Sequence, residues 1–182
     1  FLVKVASRCN LDCDYCYVYH HADQSWRSMP RLLSPENREA FASQLASYLQ
    51  HTGIRRCVVV FHGGEPLLMG STELVAFAAQ LRGAVGTHVQ LDIGMQTNGL
   101  LLTQEALDAF ASAAIGISLS LDGPKEANDL HRTSRRGRSS FEQTYQALQL
   151  LRSAPDVFAG VIAVIDPRTQ PRQLLDFFSE QQ

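Results

Sequence analysis

Lysine is nearly missing from this chain. Of its 16 basic residues only Lys4 and Lys125 are lysines, and the other 14 are arginines scattered along the sequence. Scatter of that kind is a coding bias and points to no partner. Basic and acidic residues almost cancel, at a net charge of -2, so no single-sign field draws the chain onto nucleic acid. No apolar run approaches the roughly 18 residues of a membrane span. The expectation is a soluble protein with neither a membrane nor a nucleic acid as partner. A starting Met is absent too, and Phe1-Leu2-Val3-Lys4-Val5 already reads as a strand with no charged or apolar leader before it. That predicts a fragment of a longer protein. Cysteine is sparse, with Cys9, Cys13, Cys16 and Cys57, and three of the four fall within eight residues. A secreted disulfide scaffold spreads an even set over its loops, whereas a tight cluster without a secretory leader is a metal site of a reducing compartment. Cytoplasm is the expected location.

What is present is enough for one domain: 182 residues, 45% of them hydrophobic, with no repeat, low-complexity tract or dividing linker. Short β-branched runs alternate with segments of helical period, the pattern of a parallel βα array. Strands are predicted near 2–6, 57–62, 89–97, 115–121 and 157–165. After a long loop, Ser34 and Pro35 open a helix that should bury Phe41, Leu45 and Tyr48 and stop at Gly53. Further helices are expected from Ser71, burying Leu74, Ala78 and Leu81, and from Thr103, burying Leu107, Phe110 and Ala114. Another begins near Ser140, where Gln143 would complete a capping box and Tyr145, Leu148 and Leu151 would be buried. A fifth follows Pro171 and carries Leu174, Phe177 and Phe178.

Five βα units form either a doubly wound sheet or part of a barrel. Alternation places Asp92, Gln96 and Asn98 on one face of a strand, and Ser118, Ser120 and Asp122 on one face of the next. A doubly wound sheet buries both faces under helices and rarely tolerates this; an open barrel around a ligand requires it.

The strongest chemical signal is Cys9-Asn10-Leu11-Asp12-Cys13-Asp14-Tyr15-Cys16, a C-x3-C-x2-C spacing on the loop leaving the first strand. Three thiolates there can converge on a metal group. A structural zinc site wants a fourth ligand, which His20 or His21 could supply, while Cys57 lies inside a strand. The better reading is a 4Fe–4S cluster held by three cysteines with one iron left open.

With an aromatic before its third cysteine, this motif resembles the signature of the radical S-adenosylmethionine (SAM) enzymes. Gly63-Gly64-Glu65-Pro66 resembles that superfamily's GGEP motif. Thr97-Asn98-Gly99 and Ser120-Leu121-Asp122-Gly123-Pro124 resemble its later strand-end motifs in the same order. Four stretches are similar to the FxsB-type radical SAM/SPASM proteins, which modify peptides and include cyclophane-forming relatives: Val5-Ala6-Ser7-Arg8-Cys9-Asn10-Leu11, Tyr17-Val18-Tyr19-His20, Ala22-Asp23-Gln24-Ser25-Trp26, and His131-Arg132 through Gly137-Arg138-Ser139-Ser140.

The resemblance implies an α/β fold, a partial (β/α)6 TIM-like barrel of which residues 1–182 supply five βα units. The sixth strand and a C-terminal SPASM region with auxiliary clusters would lie outside it. It implies SAM and a 4Fe–4S cluster on Cys9, Cys13 and Cys16 as cofactors, an external one-electron donor such as a flavodoxin or ferredoxin, and a precursor peptide as substrate. SAM would be cleaved to methionine and a 5′-deoxyadenosyl radical, and a peptide side chain oxidised or crosslinked. An anaerobic sulfatase maturase making formylglycine shares the same core motifs, and a non-catalytic Fe–S or zinc module is the reading from another class.

Individual roles follow from side-chain chemistry. Gly63 and Gly64 would let backbone approach the methionine moiety, and Glu65 would accept from its ammonium. Asn98 and Ser120 would donate to ribose or carboxylate, and Arg132 would pair that carboxylate. Arg132 belongs to a run with Arg135, Arg136 and Arg138 that reads equally as a solvated loop. Asp122 is a catalytic candidate or a turn residue. Tyr15 and Tyr17 would pack on the adenine or shield the cluster, or simply pack the loop. Ile162, Val164 and Ile165 read as barrel core before adenine contacts, with one face able to serve both. His62 stands where related maturases often have Gln, and it, His20, His21 and Trp26 receive no role from the sequence.

Overall fold

The computed structural model describes residues 1–181. Strands β1 (Leu2–Ala6), β2 (Arg56–Gly63), β3 (Gln90–Thr97), β4 (Ile115–Ser120) and β5 (Phe158–Ile162) lie in chain order in one parallel sheet. Helix α1 (Pro35–Thr52) links β1 to β2, α2 (Ser71–Val85) links β2 to β3, and α3 (Gln104–Ser112) links β3 to β4. A short α4 (Lys125–Asn128) and α5 (Phe141–Arg152) lead to β5, and α6 (Pro171–Ser179) follows it.

Period-2 alternation sorts the sheet's two faces. Cys57, Val59 and Phe61 of β2, Ile93 and Met95 of β3, and Ile115, Ile117 and Leu119 of β4 are buried in one core with Leu45, Leu49, Leu74, Phe77, Leu81, Phe110 and Leu151 from the helices. Phe61 and Phe77 stack at 5.2 Å, and each fully buried ring of this kind contributes about 1.5–3 kcal/mol. Helices α1, α2, α3 and α5 bury into this one face. The opposite face, carrying Lys4, His62, Gln96, Ser118 and Ser120, stays partly open. One covered face and one open polar face make a partial barrel rather than a doubly wound sheet.

Local signals set most boundaries. Ser34 Oγ accepts from Asn37 N–H at 3.3 Å, Gly53 closes α1 in the left-handed conformation, and Thr103 Oγ1 accepts from Ala106 N–H at 3.1 Å. Four expectations fail. Tyr48 is 49% exposed, packing edge-on against Phe1, while Leu49 takes the core position. Ala114 lies beyond α3, exposed and with φ 48°. Ser140 does not cap α5, because its hydroxyl donates to Arg132 O at 2.6 Å and accepts from Asn128 Nδ2. Strand β5 stops at Ile162, since Val164 N–H turns to Asp122 Oδ1 at 3.0 Å instead of to a neighbouring strand; Ile162, Val164 and Ile165 are accordingly exposed rather than core. No helix among the described residues is long and apolar enough to cross a membrane.

Candidate active site

All the motifs meet where the strands end. The loop leaving β1 continues its pairing with β2, as Ala6 O accepts from Gly64 N–H at 2.9 Å and Arg8 O from Glu65 N–H at 3.0 Å. Gly63 and Gly64 are needed for this contact. A Cβ on Gly63 would overlap Ala6 O, and one on Gly64 would overlap Arg8 O and Tyr19 Oη. Close approach to a ligand was the expected reason for the glycine pair; close approach of the cysteine loop is the local one.

That loop presents Cys9, Cys13 and Cys16 as half-buried free thiols, while Cys57 is buried within β2. Leu11 N–H donates to Cys9 Sγ at 3.4 Å, and Cys16 N–H to Cys13 O at 2.9 Å. Burial pushes Cys9 up to about 12 and Cys13 up to about 11, so without metal both are neutral near pH 7. Coordination reverses that by deprotonating the thiol outright. Three free thiols on one loop suit a four-iron cluster, which takes each thiolate at a different iron.

The three cysteines line a cavity of about 330 Å³ together with Tyr15, Tyr17, His62, Gly63, Gly64, Glu65, Asn98, Ser120, Asp122 and Arg132. Every site residue read from the sequence is therefore at one place. Ile162 and Val164 border the same cavity.

Glu65 is 1% exposed, and its carboxylate accepts from Leu67 N–H at 2.9 Å, Thr97 Oγ1 at 2.7 Å and Asn98 N–H at 2.8 Å. Burial raises its pKa and these donors pull it down, with a net rise. The side chain clasps the ends of β2 and β3. Asn98 is also engaged internally, donating to Asn10 Oδ1 at 2.7 Å and accepting from Leu100 N–H.

On the other side, Tyr15 Oη donates to Asp122 Oδ2 at 2.7 Å and accepts from Arg132 at 3.0 Å. Burial raises the Tyr15 pKa, so the phenol stays protonated. Arg132 is 6% exposed, unlike the exposed Arg135, Arg136 and Arg138, so the arginine run is a solvated loop with one member turned inward. Burial opposes its charge, but Tyr15, Cys13 and Asp122 more than offset this. Its Nε is buried with no partner among the described residues, an orphan donor of the kind that a bound anion satisfies. Across the floor, Gln96 Nε2 donates to Ser120 Oγ at 3.2 Å and Gln96 Oε1 faces His62 Nε2 at 3.2 Å. Burial lowers the His62 pKa, keeping the ring neutral.

Two residues that brace the site stand in the FxsB-like stretches but receive no role from the sequence. Arg8 donates to the carbonyls of Trp26, Arg27 and Met29 and lies 5.2 Å over the Trp26 ring. His131 bridges Asp14 Oδ1 at 2.6 Å and Asp166 Oδ2 at 2.7 Å, joining the cysteine loop to the segment after β5. Nothing local distinguishes either, since the loop carbonyls and carboxylates they bind lie 18 to 117 residues away. Of the unassigned histidines, His20 pairs Asp12 at 3.2 Å and His21 is exposed.

Residues 3–177 match the radical SAM superfamily. The chain belongs to that superfamily. It is 32% identical to an uncharacterised Synechocystis protein over 98% of this chain and 44% of that one. It is 29% identical to a serine-type anaerobic sulfatase-maturating enzyme of Bacteroides thetaiotaomicron, over 97% of this chain and 42% of the relative. Among solved structures, native anSMEcpe with bound AdoMet superposes with a TM-score of 0.84 at 25% identity, covering 99% of this chain and 48% of that one. The same protein with AdoMet and a Cp18Cys peptide gives 0.85 at 24% identity. The chain thus spans about half the length of the relatives it matches. Membership brings a 4Fe–4S cluster and SAM as cofactors, and the donor set fits both: three free thiols on one loop, beside an orphaned guanidinium N–H and the Ser120 hydroxyl.

Proposed function

We propose that this chain is the catalytic core of a radical SAM oxidoreductase that oxidises or crosslinks a side chain of a ribosomally made peptide. Bound together, cluster and SAM would supply the oxidising equivalents: one-electron cleavage gives methionine and a radical that leaves as 5′-deoxyadenosine with one substrate hydrogen, and the second substrate electron would return to the cluster as a proton is lost, so that SAM is the net two-electron oxidant. The observation that carries the reading is the convergence of Cys9, Cys13 and Cys16 with the buried, partly unpaired Arg132 on one cavity.

Within it Cys9, Cys13 and Cys16 hold the cluster. Arg132 and Ser120 take the carboxylate and hydroxyl oxygens of SAM, and Asn98, spent on Asn10, bounds the site and orients the loop. Glu65 retains one lightly used oxygen, Oε2, for the SAM ammonium. Tyr15 and Tyr17 wall the adenine side, and Asp122 holds the Tyr15 phenol in place. Elsewhere in the protein lie the sixth strand and a SPASM region; an external flavodoxin or ferredoxin supplies the electron, and the reaction takes place in the cytoplasm.

FxsB-like stretches in the loops support peptide crosslinking. Similarity to several sulfatase-maturating enzymes supports the second reading, conversion of a Ser or Cys of a sulfatase to formylglycine. Incubating the reconstituted full-length enzyme with SAM, reductant and each candidate peptide tests both by mass spectrometry. Crosslinking removes two hydrogens from the precursor peptide and leaves a product resistant to sequencing between the joined residues. Formylglycine also removes two hydrogens from Ser but reacts with a hydrazide. A peptide returned unchanged by an enzyme that consumes SAM contradicts the peptide reading.

A further inference from the structure

A second cavity, of about 290 Å³, lies between β1 and the loop 17–33. It adjoins the SAM cavity, the two sharing Tyr17, Val18, Gly63 and Gly64 as a common wall. Its far wall is apolar, made by Trp26, Met29 and Leu33, with Met29 and Tyr17 more than half exposed at the rim. Single exposed hydrophobics mean little, but an apolar concavity with exposed apolar residues at its mouth is the usual form of a binding site.

The wall is held in place before anything binds. The Arg8 guanidinium takes up the carbonyls of Trp26, Arg27 and Met29, Ser7 Oγ donates to Pro30 O at 2.6 Å, and Leu33 N–H donates to Val5 O at 2.9 Å. With its carbonyls already bonded, the loop needs little further ordering on binding, which is the condition for affinity at a small contact.

Charge gives the cavity a preference. Lys4 lines it from the open face of β1 and makes no hydrogen bond or ion pair among the described residues. The one carboxylate in the lining, Asp23, is held low by the Ser25 N–H it accepts at 2.8 Å and also feels the Lys4 charge, with no ion pair formed between them. The cavity therefore offers an ammonium without a contact partner beside an apolar hollow.

We propose that this cavity is a substrate subsite, taking an apolar side chain of the peptide while Lys4 pairs with a carboxylate next to it. The inference rests on the reading of the chain as a peptide-modifying radical SAM enzyme and names what that peptide presents: an acidic residue beside a large apolar one, seated against the wall shared with SAM.

Binding of three blocked tripeptides to the full-length, cluster-loaded enzyme with SAM present tests it: acetyl-Asp-Phe-Gly-amide, acetyl-Lys-Phe-Gly-amide and acetyl-Asp-Ser-Gly-amide, each titrated by saturation-transfer NMR. The Asp-Phe probe should bind about fivefold or more tighter than the Lys-Phe probe, the scale of one exposed charge pair, and tighter than Asp-Ser by at least as much. Lys4→Glu should reverse the preference between the Asp-Phe and Lys-Phe probes, and Lys4→Met should abolish it. Leu33→Trp, which fills the hollow, should remove the advantage of Phe over Ser. SAM affinity is measured in each variant, so a misfolded protein is recognised and replaced by the milder Lys4→Met or Leu33→Phe. Probes that fail to bind an enzyme which binds SAM, or a preference that Lys4→Glu leaves unmoved, overturn the subsite. Failure of the wild-type enzyme to bind SAM overturns the functional reading beneath it instead.

Discussion

The Glu65 carboxylate and the backbone N–H of Asn98 are joined at 2.8 Å across the ends of β2 and β3, with Glu65 almost wholly buried. The same carboxylate accepts from Thr97 and Leu67. A residue expected to reach outward to a ligand thus also fixes the two strand ends that frame the site.

Glu65→Gln should therefore lower stability as well as SAM affinity. An amide presents one oxygen and one N–H₂ where two oxygens meet three donors, leaving at least one buried donor unsatisfied at a cost of about 1–3 kcal/mol. Thermal unfolding of the cluster-free protein reads the stability loss without any contribution from SAM. An unchanged midpoint would return Glu65 to a purely ligand-binding role.

Gly64→Ala should disturb the cysteine loop before it disturbs the sheet. Its Cβ would strike the tip of the Tyr19 side chain and, more consequentially, the backbone Arg8 O, which cannot move without shifting the segment that carries Cys9. Overpacking of this kind costs about 1–3 kcal/mol. Iron and sulfide content after anaerobic reconstitution should fall well below wild type, while far-ultraviolet circular dichroism stays close to it. Full cluster loading would contradict the assigned contact.

The His131 bridge should give the protein a pH-dependent component of stability. Asp14, Asp166 and the Tyr15 ring face the imidazole, and Arg168 pairs with Asp166. Burial lowers the His131 pKa, but hydrogen bonds to the two carboxylates raise it further, for a net rise. A raised folded pKa means stabilisation fully present below the unfolded value of about 6.5 and lost as pH climbs through the folded one. The Asp166 carboxyl is held low by Arg168 and His131, so its own contribution persists until well into acid. Denaturant unfolding from pH 5.5 to 9 should show wild type losing stability relative to His131→Gln as pH rises. Parallel profiles would exclude the bridge as a titrating link.

The sheet was legible because its code is local. Alternating residues mark each strand's buried side, and the caps at Ser34 and Thr103 stand beside the helices they start. The cysteine spacing and the strand-end motifs located the site for the same reason. What escaped depends on contacts distant in sequence. Ser140 looks like a cap until Arg132 and Asn128 claim its hydroxyl, and 157–165 looks like one long strand until Asp122 draws Val164 away. Tyr48 and Leu49 are adjacent apolar residues at helical spacing from Leu45, and which of them is buried is settled by packing against distant residues, Tyr48 lying against Phe1. The two reasons for the glycine pair, ligand approach and loop approach, are indistinguishable without the loop in place.

The central claim is that Cys9, Cys13 and Cys16 hold a cluster that works on SAM, whereas Cys57 is only core. Anaerobic reconstitution of wild type and of each Cys→Ala variant in the full-length protein, followed by reduction with SAM and quantification of 5′-deoxyadenosine, tests it directly. Wild type and Cys57→Ala should release 5′-deoxyadenosine, the latter with at most a packing loss in stability, and the other three variants should release none. A cluster-loaded wild type that forms no 5′-deoxyadenosine, or a Cys13→Ala variant that still does, would contradict the account.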